Sequence, residues 1–233
     1  MSGSLVRATA VQLLSGLNYS GARGPRQALS RALVLISEQK WPRLGVQLRL
    51  IVAITGASGS IFGVRLLERL RRTAGVEIHL VLSRAGQQVL GRETGKTLDD
   101  LRPLADRTYD VDDLEAPLAS GSFATQGMVI APCSVRTMSA IAAGLTSSLL
   151  LRAADVTLKE RRRLILMVRE TPLHLGHLRT MVALTEMGAI IAPPIPAFYH
   201  KPQSILDLVD HSLDRVLDLL GLAPQDAYRW SGA

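Results

Sequence analysis

The chain of 233 residues carries 27 Lys and Arg against 20 Asp and Glu, a net charge of +7, with 47% hydrophobic residues and one cysteine, Cys133. That length suffices for one domain with a substantial core, and no apolar run is long enough to cross a bilayer. The lone cysteine excludes an intramolecular disulfide and a cysteine-rich metal site, which fits a reducing compartment.

The positive charge is concentrated at one end. Residues 1–49 hold seven of the basic residues and a single acid, Glu38, so the remainder is close to neutral. A nucleic-acid binder carries its basic patch on the folded surface, so neither a nucleic-acid nor a membrane partner is expected. Residues 1–49 are also rich in Ser, Gly and Ala, a composition similar to a mitochondrial transit peptide. A disordered bacterial extension, or a start codon assigned too early, is the plainer explanation and the one favoured. The segment is expected to lie outside the fold. A cytoplasmic location is expected, with a mitochondrial one as the alternative if residues 1–49 are a transit peptide.

Beyond it, short apolar runs alternate with longer helical patterns. Leu50–Thr55 reads as a buried strand. Ile61–Arg72 follows as a helix, with Ile61, Val64, Leu67 and Leu70 at helical spacing. Val76–Leu82 reads as a strand and Ala85–Gly91 as a helix; Met128–Ala131 is strand-like and Ser134–Ala143 helical. Leu149–Arg162 reads as a helix ending in a solvated basic cluster. Leu164–Arg169 is a strand, His174–Met187 a helix, Ala189–Ala192 a strand, and Ser204–Leu220 a final amphipathic helix. This alternation predicts an α/β fold, a parallel sheet with helices on both faces, in a single domain over residues 50–230.

The first strand runs into Gly56-Ala57-Ser58-Gly59-Ser60, and then a helix begins. Ligands of open α/β sheets bind at the carboxyl ends of the strands. Glycines there allow close approach, and hydroxyls or helix N-terminal amides can hold a phosphate. A tight strand-to-helix turn with no ligand is the plain alternative. Gly56, Gly59 and Gly63 do not give the dinucleotide spacing, and the second strand ends in Ser83 where an NAD site would present an acid. A mononucleotide is favoured. The third strand-like run ends Ala131-Pro132-Cys133-Ser134-Val135-Arg136-Thr137, where Ser and Thr can cap a helix and touch a ligand. Cys133 reads as a small buried hydrophobe. Arg152 and Lys159, seven apart, share a helix face and could clamp a phosphate, although on spacing alone a solvated surface is the better explanation. Glu170 places a carboxylate at the end of a central strand. His174 and His177 lack a third ligand, and there is no Asp-Asp-x-x-Asp, so no metal site is expected.

Six segments, Thr55–Gly63 (TGASGSIFG), Ser120–Phe123 (SGSF), Ala131–Thr137 (APCSVRT), Arg152–Arg162 (RAADVTLKERR), Arg169–Pro172 (RETP) and Pro196–Ser204 (PAFYHKPQS), together resemble the UbiX flavin prenyltransferases, a family whose members are also labelled aromatic-acid or phenolic-acid decarboxylases. The resemblance runs from about Leu50 to Trp230, in the family's order and spacing. It implies a three-layer Rossmann-like or flavodoxin-like fold that assembles into a homododecamer with sites at subunit contacts. It implies transfer of a dimethylallyl group from dimethylallyl phosphate to reduced FMN without a metal, giving the prenylated FMN used by UbiD-type decarboxylases in ubiquinone synthesis or in breakdown of aromatic acids. Position by position, it implies that Gly56, Ala57, Ser58, Ser83, Ser134, Val135, Arg136, Thr137 and Arg152 hold FMN. Lys159, Arg169, Tyr199 and Arg215 would hold the dimethylallyl phosphate. Glu170 would transfer a proton, aided by Ser58, with Glu93 near the site. Leu114 stands about where some members carry a tryptophan that lines the prenyl pocket.

The chemistry suits those residues. The departing phosphate needs fixed cations, the allyl group needs a dry pocket with π faces such as Tyr199, and closing a second bond on the ring needs a proton acceptor. Two other readings stand beside this one: a non-enzymatic FMN-binding component of an aromatic-acid decarboxylase, and a flavin-dependent cysteine-type decarboxylase. The second uses an Ala-Ser-Ala-Asn-Thr-like segment where this chain has Ala-Pro-Cys-Ser.

Overall fold

Three runs of aliphatic residues too continuous for a half-exposed sheet form the middle of the molecule: β1 (Leu48–Ile54), β4 (Gly127–Cys133) and β5 (Arg163–Val168). Near-continuous apolar strands are what a parallel sheet covered on both faces requires. The computed structural model describes residues 48–222 and Ala227. The expected N-terminal extension therefore lies outside the described residues, except that Leu48 and Arg49 open β1, two residues earlier than the sequence pattern suggests.

Around these strands lie β2 (Val76–Leu82), β3 (Arg107–Tyr109) and β6 (Ile190–Ile191), with helices α1 (Ser60–Arg71), α2 (Arg84–Thr94), α3 (Leu98–Leu101), α4 (Val135–Ala142), α5 (Leu149–Lys159), α6 (Leu175–Glu186) and α7 (Ile205–Leu220). The six strands pair in the order 3-2-1-4-5-6, all parallel. Leaving aside the three-residue edge strand β3, the order is that of a flavodoxin-like sheet. The chain reverses its direction of growth between β1 and β4, so a crevice opens at their carboxyl ends.

The period of two along β1 divides the core. Leu50, Val52 and Ile54 face a cluster completed by Val64, Leu67 and Leu70 of α1 and Leu213, Val216 and Leu220 of α7. Ile51 and Ala53 face the opposite cluster, with Met138 of α4, Leu150 and Ala153 of α5 and Leu184 of α6. The result is the expected three-layer α/β fold. On the first face α1 and α7 are also joined by ions. Arg65 donates to both carboxylate oxygens of Asp210 at 3.1 and 2.6 Å, and Arg69 pairs with Asp214.

Two departures from the sequence reading matter most, beside the short α3 that it also lacks. β3 has no counterpart in it: the strand's three residues include Arg107 and Thr108, pair only with β2, and show no apolar alternation. α5 stops at Lys159 rather than Arg162. Arg161 has φ 56, its amide donates to Leu158 O at 3.0 Å, and the Arg162 amide donates to Thr157 O at 2.9 Å. This is a Schellman stop with arginine in the left-handed position where glycine is usual. Arg161→Gly should raise stability by about 1 kcal/mol and the melting temperature by about 2–4 °C, as thermal unfolding would read.

A buried histidine of β2 packs beside β3. The His79 ring lies 2.9 Å through Nδ1 from the Tyr109 hydroxyl and 3.3 Å through Nε2 from Glu77. Burial pushes its pKa below the ordinary 6.5, and nearby Arg49 adds to this while Glu77 opposes it. The unfolded chain thus binds a proton that the folded one resists, so stability rises with pH across that window. The contribution is present above the unfolded value of 6.5 and is lost as pH falls below it. Urea unfolding from neutral pH down to about pH 5 should show a slope that His79→Gln reduces.

Candidate functional site

The crevice is built from β1 and β4 outward. Thr55, buried at the end of β1, donates its hydroxyl to Pro132 O at 2.7 Å and accepts the Ser134 amide at 2.8 Å. This one side chain fixes the glycine loop beside the Ser134–Thr137 turn. Gly56 needs its lack of a side chain, because a Cβ there would sit 2.5 Å from Ala85 Cβ. Gly59 has φ +103 and opens α1.

Glu93, reaching over from α2, accepts the amides of Gly59 and Ser60 at 2.9 Å each. Partial burial works to raise its pKa, but hydrogen bonds from the Ser58 side chain, Ser60 and Gly59 outweigh this and hold it below the ordinary 4.5. Glu93 therefore already occupies the first amides of α1, which the sequence pattern offers to a phosphate. Its contacts hold the loop that carries Ser58.

Ser83 and Ser134 both cap helices. Ser83 Oγ accepts the Gly86 amide at 2.9 Å and Ser134 Oγ the Thr137 amide at 3.3 Å. Both also line a cavity of about 350 Å³ together with Gly56, Arg136 and Thr137. Five of the expected flavin-site residues thus meet in one space. Arg84, Asp112, Ser147 and Ser148 line it too and are absent from the sequence reading of the site. Arg84 directly follows Ser83, and Ser147-Ser148 directly precedes α5, so adjacency to a strand end or helix start was the available signal. Arg84 and Asp112 form an ion pair. Hydroxyls and two guanidinium groups suit a phosphate and a polyol, while Ala85, Val111, Leu150 and Leu151 offer an apolar wall to a planar ring.

The other expected residues do not line this cavity. Ala57 and Ser58 lie on the adjoining loop, and Val135 is the first residue of α4. Arg152 donates to Ala119 O at 3.1 Å and to Asp155 at 2.7 Å. The Lys159 ammonium lies 2.5 Å from the Glu160 carboxylate. Arg169 and Glu170 follow β5; the Arg169 amide donates to Cys133 O at 3.0 Å, next to Ser134, and Glu170 accepts the Thr171 amide at 2.9 Å. Leu114 is exposed.

Arg215 of α7 lines a second cavity of about 420 Å³, floored by Met167, Ile190 and Val216. The Tyr199 ring meets, edge-on at 5.2 Å, that of His211, which lines the same cavity. One chain thus presents the expected residues in two separate places. Around the second, Ile195 is 73% and Phe198 65% exposed. Cys133 is fully buried, and burial pushes its thiol up to about 12, the environment of a structural rather than a reactive cysteine. Among the described residues no group of three or more His, Cys, Asp or Glu is placed to hold a metal, and no helix is long and apolar enough to cross a membrane.

Known proteins resemble this chain in sequence and fold. The family model described as Flavoprotein matches residues 39–216. The flavin prenyltransferase UbiX of Escherichia coli strain K12 is 55% identical over 187 residues, covering 79% of this chain and 99% of that protein. The crystal structure of AnUbiX in complex with FMN and dimethylallyl pyrophosphate matches with a TM-score of 0.78 at 47% identity, over 80% of this chain and 99% of that one. A dodecameric FMN-dependent UbiX-like decarboxylase from Escherichia coli O157:H7 matches with a TM-score of 0.77 at 45% identity, over 79% of this chain and all of that one.

Proposed function

This chain belongs to the Flavoprotein family and within it to the UbiX flavin prenyltransferases, and from that membership we propose that it transfers a dimethylallyl group from dimethylallyl phosphate to reduced FMN. The observation that carries the reading is the meeting of Gly56, Ser83, Ser134, Arg136 and Thr137 in one cavity at the switch point of the sheet. Reduced FMN supplies the nucleophile, so no protein nucleophile is needed, in keeping with the inert Cys133.

The chain's own residues do the rest. The backbone of Gly56, Ala57 and Ser58 approaches the flavin closely, and the Ser134–Thr137 turn, Ser83 and Arg152 orient it. Lys159, Arg169 and Arg215 neutralise the departing phosphate, which takes the place of a metal, and Tyr199 lays a π face beside the allyl group. Glu170 accepts the ring proton, with Ser58 as relay. Glu93 holds Ser58 and the loop in position.

Tyr199 and Arg215 reach the reaction through assembly. Ile195, which lines the cavity of Arg215, and Phe198, beside Tyr199 in the chain, are exposed apolar side chains that a second copy would cover, bringing this half of the site to a neighbour's flavin. A homododecamer, as in the Escherichia coli O157:H7 relative, would supply that contact. In this reading residues 50–230 are one FMN-binding domain, the enzyme works in the cytoplasm, and a UbiD-type decarboxylase takes the product.

The test is to mix the purified protein anaerobically with reduced FMN and dimethylallyl phosphate and to weigh the released flavin by mass spectrometry. A flavin heavier by one dimethylallyl unit is expected. FMN bound but unchanged, with the monophosphate and the diphosphate alike, would overturn the transferase reading in favour of a flavin carrier.

A further inference from the structure

The loop before β4 contains the Ser120–Phe123 segment, which lines neither cavity. It has little regular structure beyond a short 3-10 turn at Pro117–Ala119 and few bonds of its own, chiefly Phe123 N to Ser120 O at 3.2 Å and Ser120 to Ser122 through their hydroxyls at 2.8 Å. Its place is set from outside. Arg162, part of what the sequence suggests is a solvated basic cluster, is half-buried instead. Its guanidinium donates to Gly121 O at 2.7 Å, to Phe123 O at 2.8 Å and to Thr125 Oγ1 at 3.4 Å. The left-handed turn at Arg161 ends α5 and immediately precedes it. From the sheet side, Arg49 lies 4.6 Å over the Phe123 ring, and His79 meets that ring edge-on at 5.1 Å.

Arg162 thereby sets the segment directly against Lys159. A Cβ on Gly121 would come within 2.7 Å of the Lys159 ammonium and closer still to the Glu160 carboxylate. A lysine ammonium sits on a flexible four-carbon stem, and an ordered wall restricts where it can go. We propose that Arg162 is a positioning residue for phosphate-donor binding: by gripping two carbonyls of the 120–125 segment it holds that segment as the wall that aims Lys159. The inference rests on the reading of Lys159 as a cation for the donor phosphate. Arginine suits the role because Nη1 and Nη2 of one rigid plane reach the two carbonyls separately, whereas a lysine would have to serve both from a single nitrogen on a flexible stem.

The experiment compares wild type with Arg162→Lys and with Gly121→Ala, which adds a Cβ against the same ammonium and leaves the Arg162 side chain in place. KM for dimethylallyl phosphate, kcat at saturating donor, FMN affinity by absorbance titration and the melting temperature are measured on each. The expected result is a donor KM raised about tenfold in both variants, with FMN affinity unchanged and kcat affected much less. A donor KM within about twofold of wild type in both folded variants, or FMN affinity lost in step with donor binding, would overturn it. Lys159→Met, run in parallel, separates the two levels: if it leaves donor KM unchanged, the reading of Lys159 fails and takes this proposal with it. If Lys159→Met raises KM and the Arg162 and Gly121 variants do not, only the positioning role is lost.

Discussion

Replacing Glu170 by glutamine is expected to lower turnover by about 10²–10⁴-fold while FMN affinity and stability stay at wild-type values. Glu170 stands just past the carboxyl end of β5, the strand beside the crevice, on exposed backbone and outside both cores. The hydrogen bond it accepts from the Thr171 amide, to Oε1 at 2.9 Å, suits a glutamine oxygen equally well, so shape and backbone are kept. Only the capacity to take a proton disappears. Steady-state prenylation kinetics beside an FMN titration give both readouts, and Glu170→Asp should recover part of the rate. Wild-type turnover in Glu170→Gln would remove this residue from the proton step.

The second large effect is on stability. Gly63 lies where α1 crosses β1 and β4, and a Cβ there would meet Ala131 O at 2.5 Å and the Ile54 side chain at 2.6 and 2.7 Å. Ala131 O is backbone of a central strand and Ile54 belongs to the core on the same face, so α1 must move outward. Overpacking of this kind costs about 1–3 kcal/mol, more than the gain of up to about 1 kcal/mol from replacing a helical glycine. Gly63→Ala should therefore lower the urea midpoint without changing its slope. Because α1 begins just after the Gly56–Gly59 loop, FMN binding should weaken with it. Gly91→Ala is the control: it also lies mid-helix, but its Cβ would meet only Lys96 O at 3.8 Å, and it should stabilise slightly.

How much of this was legible in advance depends on where each signal resides. β1, its glycine loop and α1 could be read because an apolar run, a glycine cluster and a helical repeat lie consecutively in the chain. α7 could be read because a stripe of five buried residues from Val209 to Leu220 repeats at helical spacing. β3 could not: a three-residue edge strand needs only a neighbour's unpaired backbone, and its side chains carry no pattern. The end of α5 was misplaced because a left-handed turn on arginine leaves no compositional mark. Arg162 resembled every other surface arginine because its carbonyl partners lie 39 and 41 positions away. Likewise Ser83 and Ser134 could be placed at strand ends, but only the fold shows that they share a cavity, and only the fold separates Arg215 and Tyr199 from it.

The buried thiol has a practical consequence. Cys133 is the chain's one cysteine, fully enclosed beneath the crevice with its pKa pushed up to about 12. A maleimide or disulfide reagent meets nothing to react with while the sheet is closed, and labelling therefore proceeds only through opening of β4. The rate of thiol capture is a clock for that opening. Ligands that grip the Ser134 turn should slow it, so occupancy of the crevice can be followed without any turnover.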